Sequence, residues 1–334
     1  LNATTPSIAV TLGDTQGIGP ELSLKVANAW VNQAKPSHSL RFYGDIPTGD
    51  ALAVSLGLTP LQTLASQYPT LIAVHATPPT RHSGEAAYLA VKEAVQDALN
   101  QRVLGVVTNP ISKANWWQAG IPYTGHTEAL EAFVNAAHPH EQAPMQADMF
   151  FIYQNFRLLL LTRHVPLAQV SQTLNLEQAQ QSLRTLIIHL RQSLPEKALR
   201  LALLGVNPHA GEIGGEEEAR ILRPLQAWVH EHFPQVDMSS PLPADAFFRG
   251  FHAGSAKGYD AVISPYHDQG LIAMKLLGGF EAVNVTIGLP FLRTSVSHGM
   301  ASDIVGQGLA NPLSLNAAIQ YVCGSHERSE APLA

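Results

Sequence analysis

Histidine carries the first chemical signal in this sequence. The chain has 334 residues and 15 His, against 20 Lys+Arg of which only 7 are Lys. Three histidines follow short apolar runs of the kind that make buried strands. His164 comes after Arg157-Leu-Leu-Leu-Leu161 and two residues before Pro166. His209 comes after Leu201-Ala-Leu-Leu-Gly-Val206, within Asn207-Pro-His-Ala-Gly-Glu212. His267 comes after Ala261-Val-Ile-Ser264, within Pro265-Tyr-His-Asp-Gln-Gly270. In open α/β sheets the carboxyl ends of strands are where ligands bind. Three neutral imidazoles there can hold a divalent metal and leave a coordination position open for chemistry. A single histidine after a strand is more often a hydrogen-bonded loop residue. Three of them, each beside Pro or Gly, give the metal reading and the loop reading comparable weight. Most other histidines, among them His75, His140 and His230, fall in turns or polar helix faces and carry no chemical role.

A second set of residues suits an anion. His126 sits at a helix start in Tyr123-Thr-Gly-His-Thr-Glu128, with Thr127 beside it. Thr108-Asn-Pro-Ile-Ser-Lys113 puts donors and a cation at another strand end. Lys275 follows His267 on the same predicted helix, and Arg293 lies in Gly288-Leu-Pro-Phe-Leu-Arg-Thr-Ser295. Each cation alone reads as a solvated surface charge; together, in a lysine-poor chain, they fit a small anionic or phosphorylated substrate. The loop Gly13-Asp-Thr-Gln-Gly-Ile-Gly-Pro-Glu21 could present N–H groups to an anion. Its glycines are not spaced as Gly-x-Gly-x-x-Gly, and it lacks the Lys-Ser/Thr of a P-loop. A tight structural turn is the simpler reading.

The elements that must position these residues alternate. Apolar, β-branched runs predict strands at 7–12, 40–43, 71–74, 103–108, 149–153, 157–161, 199–204, 261–264 and 282–287. Amphipathic runs predict helices at 20–34, 85–100, 177–192, 216–232, 270–277 and 314–321, the first opened by Pro20 where a missing N–H costs nothing. This alternation predicts an α/β fold with a mostly parallel sheet. Pro/Ser-rich breaks include 138–144 and 234–245. The first marks a lobe boundary, giving one lobe of 1–138 with 305–334 and a second of 139–304.

Composition bounds the function. Charged residues make up 14% of the chain, against roughly 25% in an ordinary soluble domain, so each cation near a site stands out. Net charge −6 and the lack of a basic run argue against a nucleic-acid binder. One cysteine, Cys323, excludes a disulfide framework and a thiolate metal cluster. The longest apolar stretches fall far short of the roughly 18 residues a membrane span needs. No basic-then-apolar leader opens the sequence, and a cytoplasmic setting is the expectation.

Seven segments in order carry a family likeness: Gly17-Ile-Gly-Pro-Glu21, Thr124-Gly-His-Thr-Glu128, Thr162-Arg-His-Val-Pro-Leu167, Asn207-Pro-His-Ala-Gly-Glu212, Pro241-Leu-Pro-Ala-Asp245, Tyr266-His-Asp-Gln-Gly270 and Gly288-Leu-Pro-Phe-Leu-Arg-Thr-Ser295. Over nearly its whole length the chain resembles the 4-hydroxythreonine-4-phosphate dehydrogenase family of pyridoxine biosynthesis. The resemblance implies a two-lobed α/β/α fold of the isocitrate/isopropylmalate dehydrogenase type, not a Rossmann fold. It implies a homodimer with active sites at the lobe cleft and the subunit interface. It matches His164, His209 and His267 to divalent-metal ligands, drawn from both subunits, with zinc first and magnesium or cobalt as alternatives. It matches His126, Thr127, Lys275, Asn284 and Arg293 to substrate-binding positions. Two departures stand out: Asp14-Thr-Gln16, where the family usually has an acidic residue, Pro and Ala, and a shorter stretch at Ile213-Gly-Gly-Glu-Glu-Glu218.

The implied reaction oxidises 4-phosphooxy-L-threonine at C3 with NAD or NADP and then loses carbon dioxide, giving 3-amino-2-oxopropyl phosphate. Lys275 is the first candidate for the base. Asp245 and Asp268 are alternatives, as bases or as partners that orient the imidazoles. Relatives that oxidise threonate- or erythronate-4-phosphate offer a second substrate reading. A three-histidine metal hydrolase and an acyl-phosphate transferase are the readings from other classes.

Overall fold

The computed structural model describes residues 5–34, 36–139, 144–195, 197–213, 215–254 and 258–330. His140, part of the 138–144 break and Gly214 of the shortened stretch lie outside them. In chain order the first elements are β1 (Ser7–Thr11), α1 (Gly19–Trp30), β2 (Ser39–Gly44), α2 (Ile46–Ser55), α3 (Leu61–Gln67), β3 (Ile72–Ala76), α4 (Ser83–Leu99), β4 (Gly105–Thr108), α5 (Lys113–Gln118) and α6 (His126–Ala137). There follow β5 (Asp148–Tyr153), β6 (Phe156–Leu160), α7 (Val170–Thr173), α8 (Leu176–Ser193), β7 (Leu199–Leu203), α9 (Arg223–His232), β8 (Val236–Met238), α10 (Ala244–Ala253), β9 (Ala261–Ser264) and α11 (His267–Gly278). β10 (Val283–Ile287), β11 (Leu292–Ser295) and α12 (Leu313–Glu330) close the chain. No helix among the described residues is long and apolar enough to cross a membrane.

The chain divides into two compact units, one of residues 1–147 and 283–334 and one of residues 148–282. The expected second lobe, 139–304, is therefore shorter at both ends. Its last strands leave it because β11 pairs in parallel with β4 and carries β10 along as an antiparallel neighbour. Asn284 and Arg293 thus belong to the first unit.

In the first unit the strands run β3-β2-β1-β4-β11-β10, parallel except for the last pair. β1 and β4 are buried nearly throughout, as their unbroken apolar runs require. The strand order turns back between β1 and β4, and the crevice beyond their carboxyl ends is the place such folds use for ligands. Two loops meet there. Asp14 N donates to Pro110 O, and Asn109 Nδ2 donates to Thr11 O and Ser23 Oγ. Gly19 opens α1 so close to the preceding strand that a Cβ on it would lie 2.1 Å from Leu12 O, which only glycine avoids.

In the second unit the strands run β5-β6-β9-β7-β8, again parallel except for β5 and β6. Those two form a hairpin over Gln154-Asn155, with Gln154 at φ 50. A tight turn of this hand suits the twist of paired strands. The core gathers Phe151, Phe156, Leu158, Leu160, Val262 and Met274. Because β9 lies between β6 and β7, the carboxyl ends that precede His164, His267 and His209 are neighbours.

Three helix boundaries differ from expectation. α11 begins at His267, not at 270, so the histidine stands in the first helical turn. The break at 234–245 holds β8 and the start of α10, because Pro243 serves as the N-cap, where proline does no harm. The expected helix 216–232 opens with a wide π turn at Glu218–Leu222 before α9. That turn sits where the Glu218 side chain is drawn inward to bond Asn207.

Candidate active site

In the second unit the structure pairs two of the three predicted ligands. The rings of His164 and His267 lie 5.6 Å apart between centroids, tilted by 45°. Two imidazoles bound through nitrogen to one tetrahedral zinc ion place their ring centres on the order of 5 Å apart. The spacing and the nitrogen donors therefore fit a shared divalent ion. His267 Nδ1 lies 2.7 Å from Asp268 Oδ1. Donation from Nδ1 to this carboxylate leaves Nε2 unprotonated and free to ligate, the usual way a metal-binding imidazole is oriented. Asp268 is thus within hydrogen-bond reach of the ring.

His209 is held differently. It stands exposed on the 3-10 turn Pro208–Gly211. Its backbone is left-handed, at φ 54 and ψ 25, and Ala210 follows at φ 54 and ψ 44. For a residue with a Cβ this conformation costs about 1–2 kcal/mol, and two in succession require bracing. No cluster of three potential ligand side chains forms among the described residues, so His209 does not join the pair within one chain. Asp245 is exposed in the first turn of α10, and Lys275 is exposed on α11. The desolvation that a lysine base needs is not supplied around Lys275 by the described residues of this chain.

The first unit gathers a cluster of polar side chains on the sheet. Cα partners across β1, β4, β11 and β10 align Thr11, Thr108, Ser295 and Asn284 in one row, with Arg293 and Thr286 paired in the next. Partners in register share a face, so these side chains stand together. Arg293 is only 3% exposed. Its Nη1 donates to Thr286 Oγ1 at 2.9 Å and its Nη2 to Thr108 Oγ1 at 2.5 Å, while its Nε is buried with no partner among the described residues. Burial pushes the Arg293 pKa down to about 9. Asn284 Oδ1 and His126 Nε2 are likewise buried without a partner among the described residues.

His126 opens α6 and packs edge-on against Trp116, 5.7 Å between centroids. Burial first, and then the charge of Arg293, hold its pKa well below 6.5. It is therefore a neutral imidazole at pH 7, able to meet a ligand by hydrogen bonding without a charge of its own. A buried guanidinium, a neutral imidazole and an amide, each with an unspent polar atom, form a set that an anionic, hydrogen-bonding ligand would satisfy. Thr127 follows His126 in the first turn of α6, partly buried. Lys113 opens α5 close by, since a Cβ on Gly125 would lie 3.7 Å from its Cε.

Thr11 and Thr286 look like ordinary strand residues in the sequence, while Thr108 and Ser295 stand out there only as ends of longer segments; register alone reveals the alignment of these side chains. His298 was also passed over; its Nδ1 bonds Gly299 O at 3.0 Å and its Nε2 is buried without a partner among the described residues. The glycine loop is a braced turn. Asp14 is buried in it, with Oδ1 accepting from Gln16 N and Oδ2 from Asn115 Nδ2. A buried carboxylate there opposes the phosphates of a dinucleotide.

Comparison with known proteins matches the chain to one group. The family model described as pyridoxal phosphate biosynthetic protein PdxA matches residues 27–322. The 4-hydroxythreonine-4-phosphate dehydrogenase of Thermosynechococcus vestitus is 36% identical, over 98% of this chain and 99% of its own. The crystal structure of 4-hydroxythreonine-4-phosphate dehydrogenase from Klebsiella pneumoniae superposes with a TM-score of 0.77 at 29% identity, covering 96% of this chain and 99% of that one. A terephthalate 1,2-cis-dihydrodiol dehydrogenase from Burkholderia xenovorans is more distant, with a TM-score of 0.60 at 25% identity, covering 95% and 97%. The seven ordered motifs, the mostly parallel α/β units and a match spanning nearly the whole chain lead to one conclusion: this protein belongs to the PdxA family of pyridoxal phosphate biosynthetic proteins.

Proposed function

We propose that the protein is a metal- and NAD(P)-dependent 4-hydroxythreonine-4-phosphate dehydrogenase, which oxidises 4-phosphooxy-L-threonine at C3 and releases carbon dioxide and 3-amino-2-oxopropyl phosphate. One constellation supports this reading best: the buried Arg293 beside neutral His126 and Asn284, each with an unpartnered polar atom. It suits a compact anionic substrate dense in hydrogen-bonding groups.

The residues divide the work. Arg293 pairs with an anionic group of the substrate, and its bonds to Thr108 and Thr286 fix the plane of the guanidinium. His126 and Thr127 add neutral hydrogen bonds, and Asn284 positions a further polar group. His164, His209 and His267 would hold the divalent ion, with zinc the best match to imidazole nitrogen, and Asp268 fixes the His267 tautomer. The His164–His267 pair leaves coordination positions for ligands of a second chain, which suits a cytoplasmic homodimer that draws its ligands from both subunits. A bound divalent ion supplies Lewis-acid polarisation of the alcohol oxygen. Lys275, exposed in the single chain, would act as the acceptor of the hydroxyl proton only once a second chain and the substrate cover it, with Asp245 as the alternative acceptor. NAD or NADP would supply the hydride acceptor, and no residue of the Gly13–Gly19 loop is assigned to that cofactor. Loss of carbon dioxide follows from the β-keto acid, whose ketone accepts the electron pair.

A panel of 4-phosphooxy-L-threonine, threonate-4-phosphate and erythronate-4-phosphate, each with NAD and NADP, tests the reading. It predicts the highest kcat/KM for the first. A preference for either sugar-acid phosphate would move the protein to a different substrate in the same reaction class. Phosphate release without reduced nicotinamide would replace the dehydrogenase with a hydrolase.

A further inference from the structure

His209 is the one proposed metal ligand on a strained backbone, and the structure shows what surrounds that strain. Glu218 is buried, 3% exposed, inside the curve of the 205–211 loop. Its Oε1 accepts from Asn207 N at 2.8 Å, and its Oε2 accepts from Asn207 Nδ2 at 2.9 Å. The same amide donates to Glu217 Oε2 at 2.8 Å, and Glu217 in turn bonds Ser171 Oγ. The loop is moulded around the carboxylate: a Cβ on Gly205 would lie 3.3 Å from Glu218 Oε1, and one on Gly211 3.0 Å from Oε2. Asn207 immediately precedes the Pro208–Gly211 turn, and its carbonyl accepts from Ala210 N at 3.1 Å. Thus a two-pronged carboxylate grips the residue from which the left-handed pair His209–Ala210 departs. The wide turn at Glu218–Leu222 places that carboxylate there, at the cost of regular helical bonding.

We propose that Glu218, acting through Asn207, is a positioning residue for the metal centre: the pair clamps the loop so that the His209 imidazole is presented ready to ligate. The inference rests on the reading of His209 as a metal ligand. It also explains Gly215, at φ +78, where a Cβ would lie 2.0 Å from Asn207 Nδ2. Any side chain there would force the clamp open. Strained backbone at a functional site persists only when its surroundings over-determine it. Residues behind a metal ligand typically change metal affinity by about 10- to 100-fold.

The test compares zinc affinity of the intact full-length protein, by competition with a chromogenic chelator, in the wild type, Glu218→Gln, Gly215→Ala and His209→Ala. Glutamine keeps the shape of Glu218 but turns an N–H₂ toward the Asn207 donors. The expected result is a loss of about 10- to 100-fold in zinc affinity for both Glu218→Gln and Gly215→Ala. The melting temperature of zinc-free protein stays within a few degrees of wild type, and wild-type kcat returns at saturating zinc with KM unchanged. If Glu218→Gln does not fold, the exposed Gly215→Ala variant decides the matter alone. Wild-type zinc affinity in the folded variants, with His209→Ala losing zinc, overturns the clamp. Unchanged zinc in His209→Ala itself overturns the ligand assignment on which the clamp depends.

Discussion

Replacing Arg293 with Met separates recognition from folding. The fall of the Arg293 pKa from 12.5 to about 9 corresponds to a desolvation cost of about 5 kcal/mol, at 1.36 kcal/mol per pH unit. Its hydrogen bonds to Thr108 and Thr286, charge-assisted, offset about 1.5–3 kcal/mol each. The two effects nearly cancel in the free protein. Methionine fills much of the same volume without a charge, so Arg293→Met changes stability by no more than about 2 kcal/mol and shifts the melting temperature by about 5 °C or less. Substrate binding behaves otherwise. Truncating one partner of a buried charge pair costs about 2–5 kcal/mol, which is at least a roughly 30-fold rise in KM for 4-phosphooxy-L-threonine. The assay is steady-state formation of reduced nicotinamide beside thermal unfolding of the same preparation. A KM within about threefold of wild type would remove Arg293 from the substrate site. A collapse in melting temperature of more than about 10 °C would show that its role is structural.

The His126 ring is neutral, with its Nε2 buried, so below pH 6.5 the unfolded chain takes up a proton that the folded chain refuses, and stability declines as pH falls. His126→Asn should make that decline shallower between pH 6.5 and 5, read from urea unfolding at each pH; identical slopes in both proteins would refute it. Asp268→Ala releases His267 Nδ1 and should weaken zinc binding by about 10- to 100-fold. Its effect on folding should be slight, since the Asp268 side chain is 77% exposed; unchanged zinc affinity would deny it the orienting role.

The strand ends that carry the proposed metal ligands are legible before any coordinates exist, because the physics behind them is local. His164, His209 and His267 each end an apolar run and stand beside Pro or Gly, which marks both the strand and the place where it stops. Arg293 is different. Arginine is almost always a surface residue, and nothing in Gly288-Leu-Pro-Phe-Leu-Arg-Thr-Ser295 announces that this one is buried between two threonines. The row of Thr11, Thr108, Ser295 and Asn284 depends on register across four strands, which is a tertiary property. α10 was hidden because Pro241 and Pro243 read as loop punctuation when the second is a helix cap. The antiparallel partners of β5 and β10 were hidden for a similar reason, since an apolar run does not declare the direction of its neighbour. Glu218 is invisible at the level of motif: it looks like one of three consecutive glutamates on a solvated face, and only the fold buries it against Asn207.

The most direct test of the account is turnover of 4-phosphooxy-L-threonine by protein loaded with zinc, with reduced nicotinamide and released carbon dioxide measured together. The account predicts equal amounts of the two products, loss of both after chelation and recovery of both when zinc is restored. Reduced nicotinamide formed at an undiminished rate in metal-free protein, or none formed at all from this substrate, would contradict it.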